Sequence, residues 1–142
     1  ECTRWTFREM YEEHSTYSAV QFLKLLIQKA PFPIREIQTD NGTEWTRALI
    51  SDDCKPSLFE AELERCGIKY HRIKVATPRH NGKVERQHRI DEQRFYKKMK
   101  MFSLADGRKQ LKRYNELSNN IPKICLGFLT PNEVLDKYIG VM

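Results

Sequence analysis

Two acidic residues in different parts of the chain have the side chains best suited to chemistry. Asp40 follows the apolar-polar run IREIQT (34–39) and precedes Asn41-Gly42, and Glu85 stands within ATPRHNGKVERQHR (76–89). Two carboxylates from different elements can hold Mg²⁺, which takes one or two protein carboxylates and otherwise water and phosphate oxygens. Such ions activate a hydroxyl nucleophile and stabilise the departing oxygen in a displacement at phosphorus. The pair therefore predicts metal-dependent phosphoryl chemistry.

The basic residues near Glu85 predict a phosphate-bearing partner. From Arg79 to Lys100 the sequence has eight Lys or Arg against three acids, which is five of the six net positive charges of the chain. Lysine and arginine neutralise nucleic-acid phosphates. Lys83, Arg86 and Arg89 are therefore expected to hold nucleic-acid phosphates beside the metal.

Each of these features also has an ordinary structural explanation. Asp-Asn-Gly commonly forms a turn in which Asp accepts a backbone N–H and Gly takes positive φ. A glutamate in the first turn of a helix is stabilised by the helix dipole by about 0.3–1 kcal/mol. A basic run is often the solvated face of a helix. These alternatives remain open at the level of sequence.

The elements that must position these residues alternate between strands and helices. Period-two alternation predicts strands at Arg4–Tyr11, Ile34–Thr39 and Ile68–Val75. Three- and four-residue apolar spacing and capping residues predict helices at 17–30, 58–66, 82 to about 101, about 104–119 and from 131 onward. This order predicts an α/β fold in which right-handed crossovers join parallel strands. Ligands of such sheets gather at the carboxyl ends of strands, which is where Asp40 lies.

Composition and length favour a folded domain without a membrane-spanning segment. The chain has 142 residues, 39% hydrophobic and 31% charged, which predicts one folded domain with a charged surface. It has no run of about 18 apolar residues and no signal-peptide pattern at its start, so an intracellular protein with no membrane partner is expected. Four cysteines without a CxxC pair predict reduced, buried thiols rather than structural zinc.

Three sequence blocks together resemble one family. IQTDNGTEW (37–45), TPRHNGKVERQHRIDEQRFY (77–96) and LGFLTPNEVL (126–135) are similar to the catalytic core of bacterial insertion-sequence transposases of the retroviral-integrase type, the DDE superfamily. The resemblance implies an RNase H-like mixed sheet flanked by helices. It also implies DNA cleavage and strand transfer dependent on Mg²⁺ or Mn²⁺, and a homo-oligomer that pairs transposon ends in the bacterial cytoplasm, at the nucleoid.

The resemblance assigns roles by position. Asp40 matches the second catalytic acid of the family and Glu85 the third, so both are expected to be catalytic and to bind the metal. Asn81 and Gly82 match the loop before the catalytic helix. The residues expected to contact DNA are Arg79, Asn81, Lys83, Arg86, Arg89 and Lys97.

The sequence departs from the family pattern at three points. No Asp occurs before residue 40, 44 residues separate Asp40 from Glu85 rather than the shorter usual gap, and Glu92 occupies a commonly basic helix position. We therefore expect 1–142 to be an N-terminally incomplete core lacking its first two strands, with a C-terminal helical extension at about 103–142 and turnover near zero. An Asp on an apolar strand before Glu1 would complete the site.

The same departures leave other possibilities open. An unpaired edge at Ile34–Thr39 would pair with another copy of the chain or with Arg4–Tyr11. The alternative functions are a DNA-binding or assembly module without catalysis, and an RNase H-like nuclease that cuts without joining.

Overall fold

The computed structural model describes residues 2–47, 55–73 and 82–140. The chain forms two compact units: Tyr11–Lys98 is one, and Glu1–Met10 together with Met99–Met142 is the other. We call them the sheet unit and the terminal unit. The expectation of a single core domain with a C-terminal extension stays a prediction.

Helix α1, Thr16–Lys29, opens the regular structure of the sheet unit. The hydroxyl of Ser15 accepts the Ser18 N–H and caps its start; the sequence offers Ser15 or Thr16 as this cap, and the structure uses Ser15. The helix ends at Ala30, whose backbone is extended, because a residue that precedes proline is disfavoured in helical geometry. Leu23 and Ala19 are buried on its inner face.

A strand–helix–strand motif forms the rest of the core. Strand β1 is Glu36–Thr39, helix α2 is Leu58–Arg65 and strand β2 is Lys69–Arg72. The strands pair in parallel, with Glu36 opposite Lys69 and Thr39 opposite Arg72, which confirms the predicted α/β class and parallel pairing. The buried cluster comprises Ala19, Leu23, Phe59, Leu63 and Ile68.

The two ends of α2 follow from particular residues. Ser57 accepts the Glu60 N–H while Glu60 accepts the Ser57 N–H, so the predicted capping box is confirmed. Gly67 has φ +65°, which lets the chain leave the helix toward β2 at little steric cost. Both ends are therefore set by local chemistry that the sequence displays.

Helix α3, Gly82–Asp91, is shorter than predicted. A π-helical turn follows at Glu92–Tyr96, in which the Lys97 N–H bonds to the Glu92 carbonyl at 3.0 Å. The next amide, Lys98 N–H, bonds to the Phe95 carbonyl instead. A bond five residues back followed by one three residues back interrupts the α-helical series, so the prediction of one helix to about Met101 is wrong.

The terminal unit contains helix α4, Leu104–Asn119, a 3₁₀ turn at Ile124–Leu126 and helix α5, Pro131–Ile139. Ser103 caps α4, and Thr130 with Glu133 forms a second capping box before Pro131 at the start of α5. Both helices confirm the prediction. Leu111, Tyr114 and Leu135 are buried.

The predicted strand at Arg4–Tyr11 is wrong, because residues 4–11 form no strand in the structure. Residues 4–10, called here the N-terminal segment, run beside α4. Four of its backbone carbonyls accept hydrogen bonds from side chains: Arg4 from Lys123 at 3.3 Å, Thr6 from Asn119 at 2.8 Å, Arg8 from Asn115 at 2.8 Å and Met10 from Arg108 at 3.0 Å. The segment therefore does not join the edge of β1, and the described sheet has two strands. Pairing with another copy stays a prediction.

Two smaller findings concern composition. Cys2, Cys66 and Cys125 are exposed and form no disulfide, so the expectation of buried thiols is wrong for these three, while Cys54 lies outside the described residues. Across the described ranges, no helix is both long enough and apolar enough to cross a bilayer.

Candidate functional site

Asp40 lies at the carboxyl end of β1, where its side chain is exposed. Its Oδ1 accepts the Gly42 N–H at 3.2 Å, which forms the Asx turn that Asp-Asn-Gly predicts. Positive φ at Gly42, the other part of that expectation, is wrong, since the glycines described with positive φ are Gly67 and Gly127. The turn uses Oδ1, and no hydrogen bond to Oδ2 is found within the described ranges.

The loop after Asp40, residues 41–46, is anchored on both neighbouring elements. The Asn41 side-chain amide donates to the Ile73 carbonyl at 2.8 Å, which joins the ends of β1 and β2. The buried Thr46 hydroxyl donates to Glu60 at 2.8 Å, and the Ser57 hydroxyl donates to the Trp45 carbonyl at 2.6 Å. The loop therefore leaves Asp40 tied to β2 and to the start of α2.

Two hydroxyl groups lie behind Asp40. The Thr39 hydroxyl donates to the Asp40 carbonyl at 2.8 Å, and the Tyr70 hydroxyl lies 2.7 Å from the Thr39 oxygen. Burial raises the pKa of Tyr70 above its usual 10.0. The hydrogen bond with Thr39 and the charge of Arg72 oppose this rise in pKa, while the negative charges of Glu60 and Asp40 add to it. Tyr70 is therefore a neutral phenol at physiological pH.

Helix α3 presents the second acid and the basic residues. Glu85 is exposed in its first turn, and Lys83, Arg86 and Arg89 are exposed on the same helix. Glu85 and Arg89 are four residues apart, within reach of an ion pair, yet neither makes one with any described residue. Lys97 is exposed just after the π-helical turn. Arg79 and Asn81 lie outside the described residues.

Neither acid belongs to a larger group of metal-binding side chains within the described ranges. Asp40 and Glu85 are both surface residues of the sheet unit, and no group of three or more His, Cys, Asp or Glu side chains within the described ranges could hold a metal. The donors themselves fit Mg²⁺ or Mn²⁺, since both ions bind carboxylate oxygens and accept water for the remaining positions. Asp40 and Glu85 thus offer donors of the right chemistry for either ion.

Sequence reasoning missed the residues that position Asp40. Thr39, Tyr70 and Glu60 hold Asp40 or its loop. Glu60 lies in the capping box of α2 and Thr39 in the block 37–45, but neither pattern marks this role. A usable signal exists for Thr39 and Tyr70: both fall on the alternating inward positions of their strands, where a hydroxyl side chain needs a partner.

Comparison with known families identifies the central part of the chain. Residues 66–131, which include β2, α3, α4 and Glu85, match the family described as Integrase core domain. No curated protein matches the chain. The match confirms the resemblance to integrase and transposase catalytic cores, a class of polynucleotidyl transferases that integrate or transpose DNA and generally depend on divalent metals. Residues 66–131 are similar to that family, and Asp40 lies before the matched range.

Proposed function

We propose that the chain is the catalytic-core region of a DDE-type transposase or integrase with an RNase H-like fold, from a bacterial insertion sequence. Its parent protein would cut DNA and join a 3′-hydroxyl end to target DNA as a homo-oligomer in the cytoplasm. One observation carries the proposal most directly. Asp40 stands exposed at the carboxyl end of β1, the strand parallel to β2, and β2 lies within the integrase core match, which also contains Glu85.

Asp40 and Glu85 are the proposed catalytic carboxylates and metal ligands. Mg²⁺ or Mn²⁺ bound there would lower the pKa of a hydroxyl nucleophile and stabilise the departing oxygen. Asp40 contributes a carboxylate whose Oδ1 is already oriented by the Gly42 N–H, so less conformational freedom is lost on binding. Glu85 contributes from the first turn of α3, at the positive end of the helix dipole, where a negative charge is favourable.

Helix α3 and its flanks are the proposed DNA-binding surface. Arg86 and Arg89 are exposed cations without ion pairs to any described residue, so DNA phosphates would not have to displace an existing partner. Arg79, Asn81, Lys83 and Lys97 are proposed to extend this surface. Glu92, exposed in the π-helical turn after α3, would weaken it locally.

Metal binding is tested by titrating Mn²⁺ into the chain and following paramagnetic broadening of backbone amide resonances. We expect the Gly42 amide to broaden early and Asp40→Asn to abolish the effect. Asp136→Asn, which changes an exposed acid of α5, is the matched control and should leave it intact. Absence of broadening at Gly42 in the unmodified chain would contradict the assignment of Asp40.

DNA contact is tested by fluorescence anisotropy on a duplex over a range of salt concentrations. The double change Arg86→Gln and Arg89→Gln should weaken binding and reduce the magnitude of the salt slope by about 2, because each phosphate contact contributes about 0.9. Lys137→Gln in α5 is the control. An unchanged slope in the double variant would remove α3 from the interface.

A DNA-binding or assembly module without catalysis is the second candidate. It is favoured by the absence, within the described ranges, of any group of three side chains able to hold a metal. DNA binding that requires Lys83, Arg86 and Arg89, with no activity at any Mn²⁺ concentration, would support it. We infer that turnover of the 142-residue chain alone is near zero. Strand-transfer products on paired transposon ends would distinguish joining from a nuclease that only cuts.

A further inference from the structure

We propose that Tyr70 is a positioning residue for the Asp40 carboxylate and acts through the hydroxyl of Thr39. The inference rests on the proposed function in one respect, that Asp40 is a metal ligand. It adds to the site a residue that lies outside the three sequence blocks of the resemblance and would make no contact with the metal itself.

The direction of the hydrogen bonds follows from the donor inventory. The Thr39 hydroxyl carries one hydrogen, and the Asp40 carbonyl can only accept. Both bonds can therefore form together only if Thr39 donates to Asp40 at 2.8 Å and Tyr70 donates to Thr39 at 2.7 Å. The raised pKa of Tyr70 keeps that donor hydrogen in place. The result is a directed chain from a half-buried phenol to the backbone of the metal-binding residue.

The phenol end of this chain is held by packing. The Tyr70 ring lies edge-on to Phe59 at 6.0 Å between centroids, and Phe59 lies edge-on to Trp45 at 5.0 Å. Phe59 is buried in the core, so it gives both neighbours a fixed contact. Since Trp45 belongs to the loop after Asp40, one aromatic cluster holds the segment 39–45 at both ends.

Asp40 itself is restrained from two sides. Its carbonyl accepts from Thr39, and its Oδ1 accepts from the Gly42 N–H. The first bond limits rotation of the peptide that follows Asp40, and the second limits rotation of the side chain. Removing the Tyr70 hydroxyl leaves Thr39 able to rotate toward other acceptors, which loosens the first restraint. Outer groups that orient a ligand typically contribute about 10- to 100-fold in metal affinity.

The test uses Tyr70→Phe, which keeps the ring and deletes the hydroxyl. We expect its Mn²⁺ affinity, from broadening at Gly42, to fall about tenfold, while its melting temperature stays close to that of the unmodified chain. Tyr17→Phe, at an exposed tyrosine of α1 in the same unit, is the matched control and should change neither quantity. Thr39→Val should reproduce the loss, and the double variant should lose no more than either single one, because both changes cut the same chain.

A second measurement decides the proposal without metal. Backbone ¹⁵N relaxation should show lower order parameters at Asp40, Asn41 and Gly42 in Tyr70→Phe, and unchanged values in Tyr17→Phe. Order parameters equal to those of the unmodified chain would overturn the proposal. If the unmodified chain shows no Mn²⁺ effect at Gly42, the proposed metal function fails, and the relaxation data still decide whether Tyr70 orders the Asp40 loop.

Discussion

The sheet unit and the terminal unit both hold an extended segment of chain, and they satisfy its backbone in different ways. In the sheet unit, β1 bonds to β2 through backbone groups, as in the Lys69 N–H to Arg35 carbonyl and the Ile73 N–H to Thr39 carbonyl. In the terminal unit, the carbonyls of the N-terminal segment bond to side chains. The comparison shows that side chains of a helix can supply the hydrogen bonds that a neighbouring strand would otherwise give to the backbone of a segment.

The replacement depends on a match between the spacing of side chains along α4 and the spacing of carbonyls along the N-terminal segment. Asn115 and Asn119 are four residues apart on α4, which is about 6 Å along a helix axis. Arg8 and Thr6, their partners, are two residues apart in extended chain, which is about 6.6 Å. Each asparagine carries both a donor and an acceptor, so Asn119 bonds both the N–H and the carbonyl of Thr6. Helix and segment thus stay in register.

The two units also differ in what they bury. The sheet unit buries a cluster of apolar side chains, with hydroxyl groups and Asp91 as its buried polar residues, whereas the terminal unit buries two side-chain amides, Asn115 and Asn119, beside Leu111 and Tyr114. Apolar burial stabilises in proportion to area, while a buried amide stabilises only as long as its partners stay in place. Four predictions test how much apolar burial and how much polar contacts stabilise the two units, from the largest expected effect to the smallest.

Phe59→Ala should lower the free energy of unfolding by about 3–5 kcal/mol, because it removes a buried ring that contacts Trp45 and Tyr70. Urea unfolding followed by Trp fluorescence measures the change. Leu58→Ala, next to it but 64% exposed, is the control and should cost less than about 0.5 kcal/mol. Equal effects of the two changes would contradict the assignment of Phe59 to the core.

Asn119→Leu should cost about 2 kcal/mol, because it leaves the N–H and carbonyl of Thr6 without their partner. Hydrogen exchange at the Thr6 amide should accelerate, while amides of β2 stay protected. Asn120→Ala, at the exposed neighbouring asparagine, is the control. Unaltered protection at Thr6 in Asn119→Leu would show that the side-chain bonds do not hold the segment.

The two capping boxes allow a matched comparison across the units. Ser57→Ala should cost about 2 kcal/mol, because the buried hydroxyl both caps α2 and bonds the Trp45 carbonyl. Thr130→Ala should cost about 1 kcal/mol, because it removes a cap alone. Thermal unfolding of the two variants measures the difference. Equal costs would mean that the Ser57–Trp45 bond contributes nothing.

Glu133 should make the stability of the terminal unit depend slightly on pH in the acid range. Its hydrogen bonds with Thr130 lower the pKa of Glu133 below its usual 4.5. Its contribution to stability is therefore fully present above pH 4.5 and is lost as the pH falls through the lower folded pKa. Glu133→Gln should flatten the pH dependence of unfolding in that range, and Glu116→Gln should not. If Glu133→Gln and the unmodified chain showed the same pH dependence of unfolding, this contribution of Glu133 to stability would be excluded.

Local signals predicted a large part of the fold and only part of the site. Helices α1, α2, α4 and α5 follow from caps at Ser15, Ser57, Ser103 and Thr130, because a cap requires only residues three positions apart. The Asx turn at Asp40 is predictable for the same reason. The π-helical turn after Asp91 has no such signal, since it depends on small differences between competing hydrogen-bond lengths.

The sequence by itself determined where the helices begin, the parallel strand pair, the carboxylates at Asp40 and Glu85 and the basic character of α3, because each depends on neighbours along the chain. Only the tertiary structure decided that the N-terminal segment bonds to α4 instead of forming a strand, and that Tyr70 lies behind Asp40. The physical reason is distance in sequence. Thr6 and Asn119 are 113 residues apart and Thr39 and Tyr70 are 31 apart, so only folding brings their polar groups within hydrogen-bonding distance.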